Sequence, residues 1–432
     1  MKKSLLLYLT GLILILSSVK ATAANDYLSG LTISAGTLSP AFLNTTLGYS
    51  ASENSSTTSI TVTPTASILG STITVNGTLV ISGLASGAIA LSPGTNTITI
   101  VVSALLSTTE TYTITVTRQN ISYTGSPFSY YSGTVISSLS PTVSGSPTGY
   151  TISPALSSGL ALSPTTGVIS GTPTVTASAT TYTITATYAG GITATTTISI
   201  TVSAPTISYT GSPYTYTVYT TITSLTPAVN GSPVSYSISP ALSAGLSFST
   251  ATGIISGMPT AGASVTTYAI TANYAGGVTA NTNISITVNK ASLTITASNQ
   301  SITYGSAVPT LTVTYSGFVN GDTQASLTTL PTVTTTGTSS SAIGTYPISA
   351  TGAVAPAYYN VTYVAGTLTI TSKTLTITGL TANNKIYNGT TTATLTGTAT
   401  LNGVVSPDVI TLGGTSTSVF ASANAGTGVA VT

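Results

Sequence analysis

Along most of its length the chain alternates. Residues 95–103 (TNTITIVVS), 111–117 (TYTITVT), 181–188 (TYTITATY), 196–202 (TTISITV), 283–288 (NISITV) and 367–371 (TLTIT) place a β-branched or aromatic side chain at every second position, with Thr or Ser between. A period of two describes a strand with one face buried and the other in water. Asn76-Gly77 separates residues 72–75 from 78–81, and that dipeptide between alternating runs predicts a two-residue hairpin. Pro and Gly clusters punctuate the remainder at short spacing, and no stretch beyond the N-terminal apolar run sustains a helical period. The pattern predicts an all-β protein.

Repetition sets its organisation. Residues 121–202 superpose on residues 207–288 without a gap, at a period of 86. The paired landmarks are Ser126-Pro127 with Ser212-Pro213, Gly145-Ser146-Pro147 with Gly231-Ser232-Pro233, and Tyr188-Ala189-Gly190-Gly191 with Tyr274-Ala275-Gly276-Gly277. Repetition at this length means tandem domains, since solenoid repeats run to roughly 20–50 residues. A weaker echo follows, with Lys290 and Lys373 each opening an L-T-I-T segment and a turn tyrosine, Tyr304 or Tyr387, 14 residues later. The expected units are residues 24–118, 119–203, 204–289, 290–372 and 373–432. Between them Arg118-Gln119-Asn120, Ser203-Ala204-Pro205-Thr206, Asn289-Lys290 and Ser372-Lys373 leave few free residues, and Pro205 stiffens its joint. The expectation is an extended, semi-rigid rod of sandwiches, on the order of 150–200 Å long.

The N-terminus points outside the cell. Met1-Lys2-Lys3 is a basic start, residues 5–16 are apolar, and Ala21-Thr22-Ala23 is a small-residue cleavage site, which together read as a signal peptide over residues 1–23. The apolar run is too short for a permanent membrane span. Cleavage after Ala23 leaves Arg118, Lys290, Lys373 and Lys385 against Asp26, Glu53, Glu110, Asp322 and Asp408, so the +2 of the full sequence becomes −1. No nucleic-acid partner is expected, because no basic patch exists.

Charge is scarce everywhere. Charged residues make up 3% of the chain, against about 25% in an ordinary globular domain. His, Cys and Trp are absent, yet 41% of residues are hydrophobic and 24 are Tyr, so a core can form without disulfides.

Several stretches resemble known families. Residues 26–118, with Leu28-Ser29-Gly30-Leu31-Thr32-Ile33-Ser34 and Gly36-Thr37-Leu38-Ser39-Pro40, look like the bacterial cadherin-like β-sandwich domain. The two 86-residue units resemble immunoglobulin-like repeats of the He_PIG type, through residues 158–174 (SGLALSPTTGVISGTPT) and 244–260 (AGLSFSTATGIISGMPT). Residues 290–372 resemble the MBG domain, through Tyr304-Gly305, residues 316–322 (SGFVNGD) and residues 366–371 (GTLTIT). From Lys373 the chain is similar to the YDG domain, with Asn388 in place of the eponymous Asp. These resemblances imply a secreted bacterial surface protein of adhesin type, without enzymatic activity and with a protein or glycan surface as its undefined ligand. The fifth unit reaches Thr432 about 60 residues in without a closing strand, so further domains of the same polypeptide are expected beyond it.

Candidate chemistry is sparse. Residues 119–289 contain no charged side chain, and Tyr alone is a poor acid or base. Nucleophilic Ser needs a base beside it; Lys290, Lys373 and Lys385 are the available amines, and the first two open strands where a solvated charge is the simpler reading. Calcium needs six to eight oxygens, usually with several carboxylates; Asp26, Glu53 and Glu110 are dispersed, leaving at most a weak site on Asp322 or Asp408. Lys290 with Asp322, or Lys385 with Asp408, supplies both charges that an isopeptide crosslink to an Asn would require. The repeated Asn-x-Ser/Thr triplets follow from composition, and Gly413-Gly414 leads into no helix that could cradle phosphate. The tyrosines read first as packing residues and second as a sugar-stacking row. No catalytic, cofactor-binding or metal residue is assigned. The expected function is a non-enzymatic cell-surface stalk or adhesin; the alternative is a train of carbohydrate-binding modules accessory to a larger secreted enzyme.

Overall fold

The computed structural model describes residues 26–104 and 108–432. The segment read as a signal peptide lies outside the described residues. Those described form strands and turns, with three single-turn helices at Ala189–Gly191, Ala275–Gly277 and Gln324–Ser326.

The first unit is a five-stranded sheet in the order Gly48–Glu53, Glu110–Arg118, Gly94–Ser103, Thr72–Val75, Thr78–Val80, with Leu28–Ile33 paired to Val62–Ala66 as a second layer. Alternation builds its core: Ile98, Ile100 and Val102 on one strand and Tyr112, Ile114 and Val116 on the next are all buried. Asn76 and Gly77 take φ of 49° and 80°, as the expected two-residue hairpin requires.

The second and third units share one plan. Their four-stranded sheets run Phe128–Tyr131, Thr193–Ser203, Ala177–Thr187, Gly149–Ser153 and Tyr214–Thr217, Thr279–Asn289, Ala263–Asn273, Ser235–Ser239. The strand Ala177–Thr187 begins four residues before the alternating run because an irregularity between Ala177 and Thr180 interrupts the side-chain period while pairing continues. The G-L-x-L/F-S-x-x-T-G-x-I-S-G-x-P signature becomes a tight hairpin, Leu160–Leu162 with Ile169–Gly171 and Leu246–Phe248 with Ile255–Gly257. Its glycines are required by space. A β-carbon on Gly171 would collide with the Gly159 carbonyl, and one on Gly167 would meet the Tyr150 ring at 2.7 Å. Tyr123 and Tyr209 then donate their hydroxyls to the carbonyls of Gly167 and Gly253, tying the hairpin to the strand opening each unit.

The fourth unit has two sheets: Val313–Ser316, Ala291–Ala297, Tyr359–Val364, and Gln300–Thr303, Gly366–Thr371, Gly344–Thr351, Thr332–Thr335. The fifth consists of two strand pairs, Thr376–Ala382 with Leu395–Asn402 and Thr392–Ala393 with Ser418–Val419. Within it only Ala393 is buried among the described residues, and Ile386 and Val409 are more than 90% exposed.

One feature of topology places everything that follows. In each of the first four units a short early strand pairs in parallel with the final one: Gly48–Glu53 on Glu110–Arg118, Phe128–Tyr131 on Thr193–Ser203, Tyr214–Thr217 on Thr279–Asn289, and Gln300–Thr303 on Gly366–Thr371. Parallel strands finish at the same end. The residues just after the short strand therefore stand beside the exit of the unit, where the next one begins.

Candidate functional site: the joints between units

The outgoing face of each unit is built alike. Backbone amides just past the short strand bond back to the end of the final strand: Ser132 to the Ser203 carbonyl at 2.9 Å, Val218 to Asn289 at 3.0 Å, Tyr304 to Thr371 at 2.9 Å. In the first unit the bond is reversed, with the Gln119 amide donating to the Glu53 carbonyl at 2.9 Å. The next one or two residues reach across.

At the first joint they are Asn54 and Ser55. Asn54 Oδ1 accepts the Thr193 amide at 2.7 Å, the Ser55 amide donates to the Thr193 carbonyl at 3.0 Å, and Ser55 Oγ accepts the Thr195 amide at 3.1 Å. Arg118 holds this loop from behind, its guanidinium donating to the Ser55 carbonyl at 2.6 and 2.9 Å and to Leu91 at 3.0 Å. Buried Gln119 accepts the Ser144 hydroxyl, so the linker is tied to both neighbours.

Glu53 lies directly beneath. Its side chain is buried, Oε1 has no hydrogen-bond partner, and Gly36 at φ 71° leaves it room that a β-carbon would fill. Burial pushes the carboxyl above its usual value of 4.5, with a Thr57 side-chain hydrogen bond opposing in part.

The second joint is made by backbone amides of the third unit. The Ala275 amide donates to the Gly133 carbonyl at 3.2 Å and the Ser232 amide to Thr134 Oγ1 at 3.0 Å. A β-carbon on Gly133 would stand 2.5 Å from Tyr274 Cβ. The receiving turn is Tyr274-Ala275-Gly276-Gly277, one of the landmarks of the repeat.

The third joint is apolar. Tyr219, 86 positions after Gly133 and likewise at positive φ (56°), packs edge-on against Tyr358 with ring centroids 4.8 Å apart. Tyr358 in turn touches Tyr359, and Tyr359 touches Phe318. The buried residues of the third unit and the near half of the fourth, from Ile207 to Tyr359, form a single continuous core. Asp322 closes this cluster. Its Oδ2 lies 2.7 Å from the Tyr358 hydroxyl and 2.9 Å from that of Tyr359. The Tyr358 hydrogen bond, helped by Tyr359 and opposed by desolvation, holds the Asp322 carboxyl below its usual value, while Tyr358 is pushed up to about 12.

At the fourth joint the Tyr304 hydroxyl donates to Asp408 Oδ1 at 3.1 Å, and Gly305 lies against Val405. A cleft of about 260 Å³ opens beside them, lined by Ile343, Lys373, Leu375 and Ile410.

Family models match this series stretch by stretch: the cadherin-like beta sandwich domain over residues 28–119, the putative Ig domain over 118–203 and 202–289, the MBG domain of YGX type over 293–369, and the YDG domain over 371–432. Together these matches run almost without interruption from residue 28 to residue 432. None of them is an enzyme family. A "Putative membrane protein" of Evansella cellulosilytica is 40% identical over 95 residues, which is 22% of this chain and 14% of the relative's own length. Among solved structures, mouse cadherin-23 EC22-24 is 13% identical with a TM-score of 0.20, covering 60% of this chain and 99% of that one. Titin domains I67–I69 are 9% identical with a TM-score of 0.24, covering 61% and 99%. At such scores these overlays carry no further conclusion.

The polar residues singled out in the sequence are dispersed in space. Lys290 at the start of the MBG unit is exposed, and Asp322 faces Tyr358 and Tyr359, so the first crosslink pairing is not assembled. In the YDG unit Lys385 Nζ bonds Thr390 and the Thr392 carbonyl, while Asp408 turns to Tyr304, so the second is not assembled either. The same tyrosine hydroxyls occupy the carboxylates considered for a weak calcium site. Among the described residues no three His, Cys, Asp or Glu converge as metal ligands. Most tyrosines pack, with Tyr112, Tyr182 and Tyr268 among the deepest side chains. Sequence reasoning missed the burial of Asp26 and Glu53 and the docking role of Asn54, Gly133 and Tyr219. For the last pair a signal was available: Gly and Tyr occupy one position of a repeat that aligns without a gap.

Proposed function

We propose that the chain is an exported, non-enzymatic stalk that holds an adhesive surface away from a bacterial cell. The observation that supports this reading is the continuity of the joints. Every consecutive pair of units meets through specific hydrogen bonds or packed rings, so the string resists bending. A near-neutral surface of Thr and Ser suits such a spacer, since it neither recruits nor repels charged neighbours. No helix of the described residues is long and apolar enough to cross a membrane.

Small-angle scattering on the secreted chain tests the stalk. A maximum dimension on the order of 150–200 Å is expected from five sandwiches end to end. A radius of gyration near the roughly 22 Å of a compact globule of this length would overturn the reading. N-terminal sequencing of the exported protein is expected to begin at Ala24. Binding of the purified chain to host-matrix proteins with a flat glycan array is the adhesin outcome; selective glycan binding would favour the accessory-module reading instead.

A further inference from the structure

We infer that the two residues following the parallel edge strand select which kind of unit can dock next: Ser132-Gly133 accepts an Ig unit through its Tyr-Ala-Gly-Gly turn, and Val218-Tyr219 accepts the aromatic loop of an MBG unit. The order of units is then written locally, at one position of each repeat. This goes beyond the stalk reading and does not depend on it.

The backbone is the same at both positions. Gly133 and Tyr219 both lie at positive φ, and their amides donate to equivalent carbonyls, Pro173 at 2.7 Å and Pro259 at 2.8 Å. What differs is the partner each can admit. Gly133 lets a whole turn approach: its missing β-carbon would lie 2.5 Å from Tyr274 Cβ and 3.0 Å from Val278 Cβ. The receiving side is carved to match. A β-carbon on Gly231 would lie 2.5 Å from Thr134 Oγ1, and one on Gly276 would lie 2.6 Å from Thr174 Cγ2. A tyrosine at 133 would occupy the volume of that turn. Tyr219 has the opposite task. Its ring fills the space beside Tyr358, and Val218, fully buried, joins the shared core, where Ser132 keeps a hydroxyl. A glycine at 219 would leave the Tyr358 ring uncovered and the joint open to water.

Hydrogen exchange on the full mature chain tests this, read at the amides that report each joint. For Gly133→Tyr, the Ala275 and Ser232 amides are expected to exchange about tenfold faster, while Ile184 and Ile198 in the second sheet keep their protection. For Tyr219→Gly, the Ala291 amide, which donates within the fourth unit to the carbonyl of Tyr358, the residue Tyr219 packs on, is expected to lose protection by a similar factor while the second joint is unchanged. Unchanged exchange in either variant would overturn the inference. Where the clash of Gly133→Tyr with the third unit obscures the reading, a gain-of-function test removes that unit. Deleting residues 204–289 removes one 86-residue period and seats the second unit on the MBG unit. The Ala291 amide is expected to exchange about tenfold faster in that chain than in the parent and to regain protection when Ser132→Val and Gly133→Tyr are added. Equal protection with and without the two substitutions would refute selection by this position.

Discussion

Two carboxylates stand at two joints of this chain, and they are treated oppositely. Glu53 at the first joint is buried under the docking loop with one oxygen unpartnered. Asp322 at the third is half-buried and receives two tyrosine hydroxyls. Desolvation disfavours the charge of Glu53, whereas hydrogen bonding favours that of Asp322. The signs of linkage follow. The folded first unit binds the Glu53 proton more tightly than the unfolded chain does, so this contribution is complete below about 4.5 and is lost as pH rises through the folded value. The contribution of Asp322 is present above about 3.8 and is lost as pH falls through its depressed value. One joint therefore favours acid and the other neutrality, although both belong to a single chain.

The comparison can be broken most forcefully at its apolar side. Tyr359→Ala removes a buried ring from the core shared by the third and fourth units and is expected to cost about 3–5 kcal/mol, seen calorimetrically as a loss in both units while the first is unmoved. If only the MBG unit is destabilised, the fused core is not cooperative. Glu53→Gln comes next. It is expected to stabilise the first unit at pH 7 by about 1–3 kcal/mol and to flatten its pH dependence above about 4.5, since a buried ionisable group with one unpartnered oxygen is removed. A pH profile still parallel to the parent would show that Glu53 is not the titrating group. Asp322→Asn should cost the third joint about 1 kcal/mol at neutral pH and nothing further in acid, as reported by urea titrations at several pH values. The smallest effect belongs to Asn54→Ala, about 0.5 kcal/mol confined to the first joint, visible as faster exchange of the Thr193 amide with the sheets intact.

How far the sequence announced these features depends on the range of the interaction. Residues 95–103 and 111–117 declared their strands because side-chain alternation is set by neighbours two positions away, and Asn76-Gly77 declared its hairpin because the turn needs positive φ at both residues. The hairpin signature around Gly159, Gly167 and Gly171 was legible as a motif, and its reason is steric crowding across the hairpin. Glu53 was not legible. It continues the buried phase of Tyr49 and Ala51, but it does so inside the polar run Ser52-Glu53-Asn54-Ser55, which reads as solvated. The joints were legible only as short linkers. Asn54 meets Thr193 across 139 positions, and Tyr304 meets Asp408 across 104.

The 86-residue period, the all-β class and the absence of any acid or base from residues 119–289 were determined by the sequence alone, because each is a property of spacing or composition. The tertiary structure decided which end of each sandwich faces its successor. It did so through the parallel pairing of a short early strand with the last one, a contact between segments roughly 65–75 residues apart. That pairing carries Asn54, Gly133, Tyr219 and Gly305 to the exits of their units. Local pattern cannot reveal it, because an alternating strand looks the same whichever neighbour it pairs with.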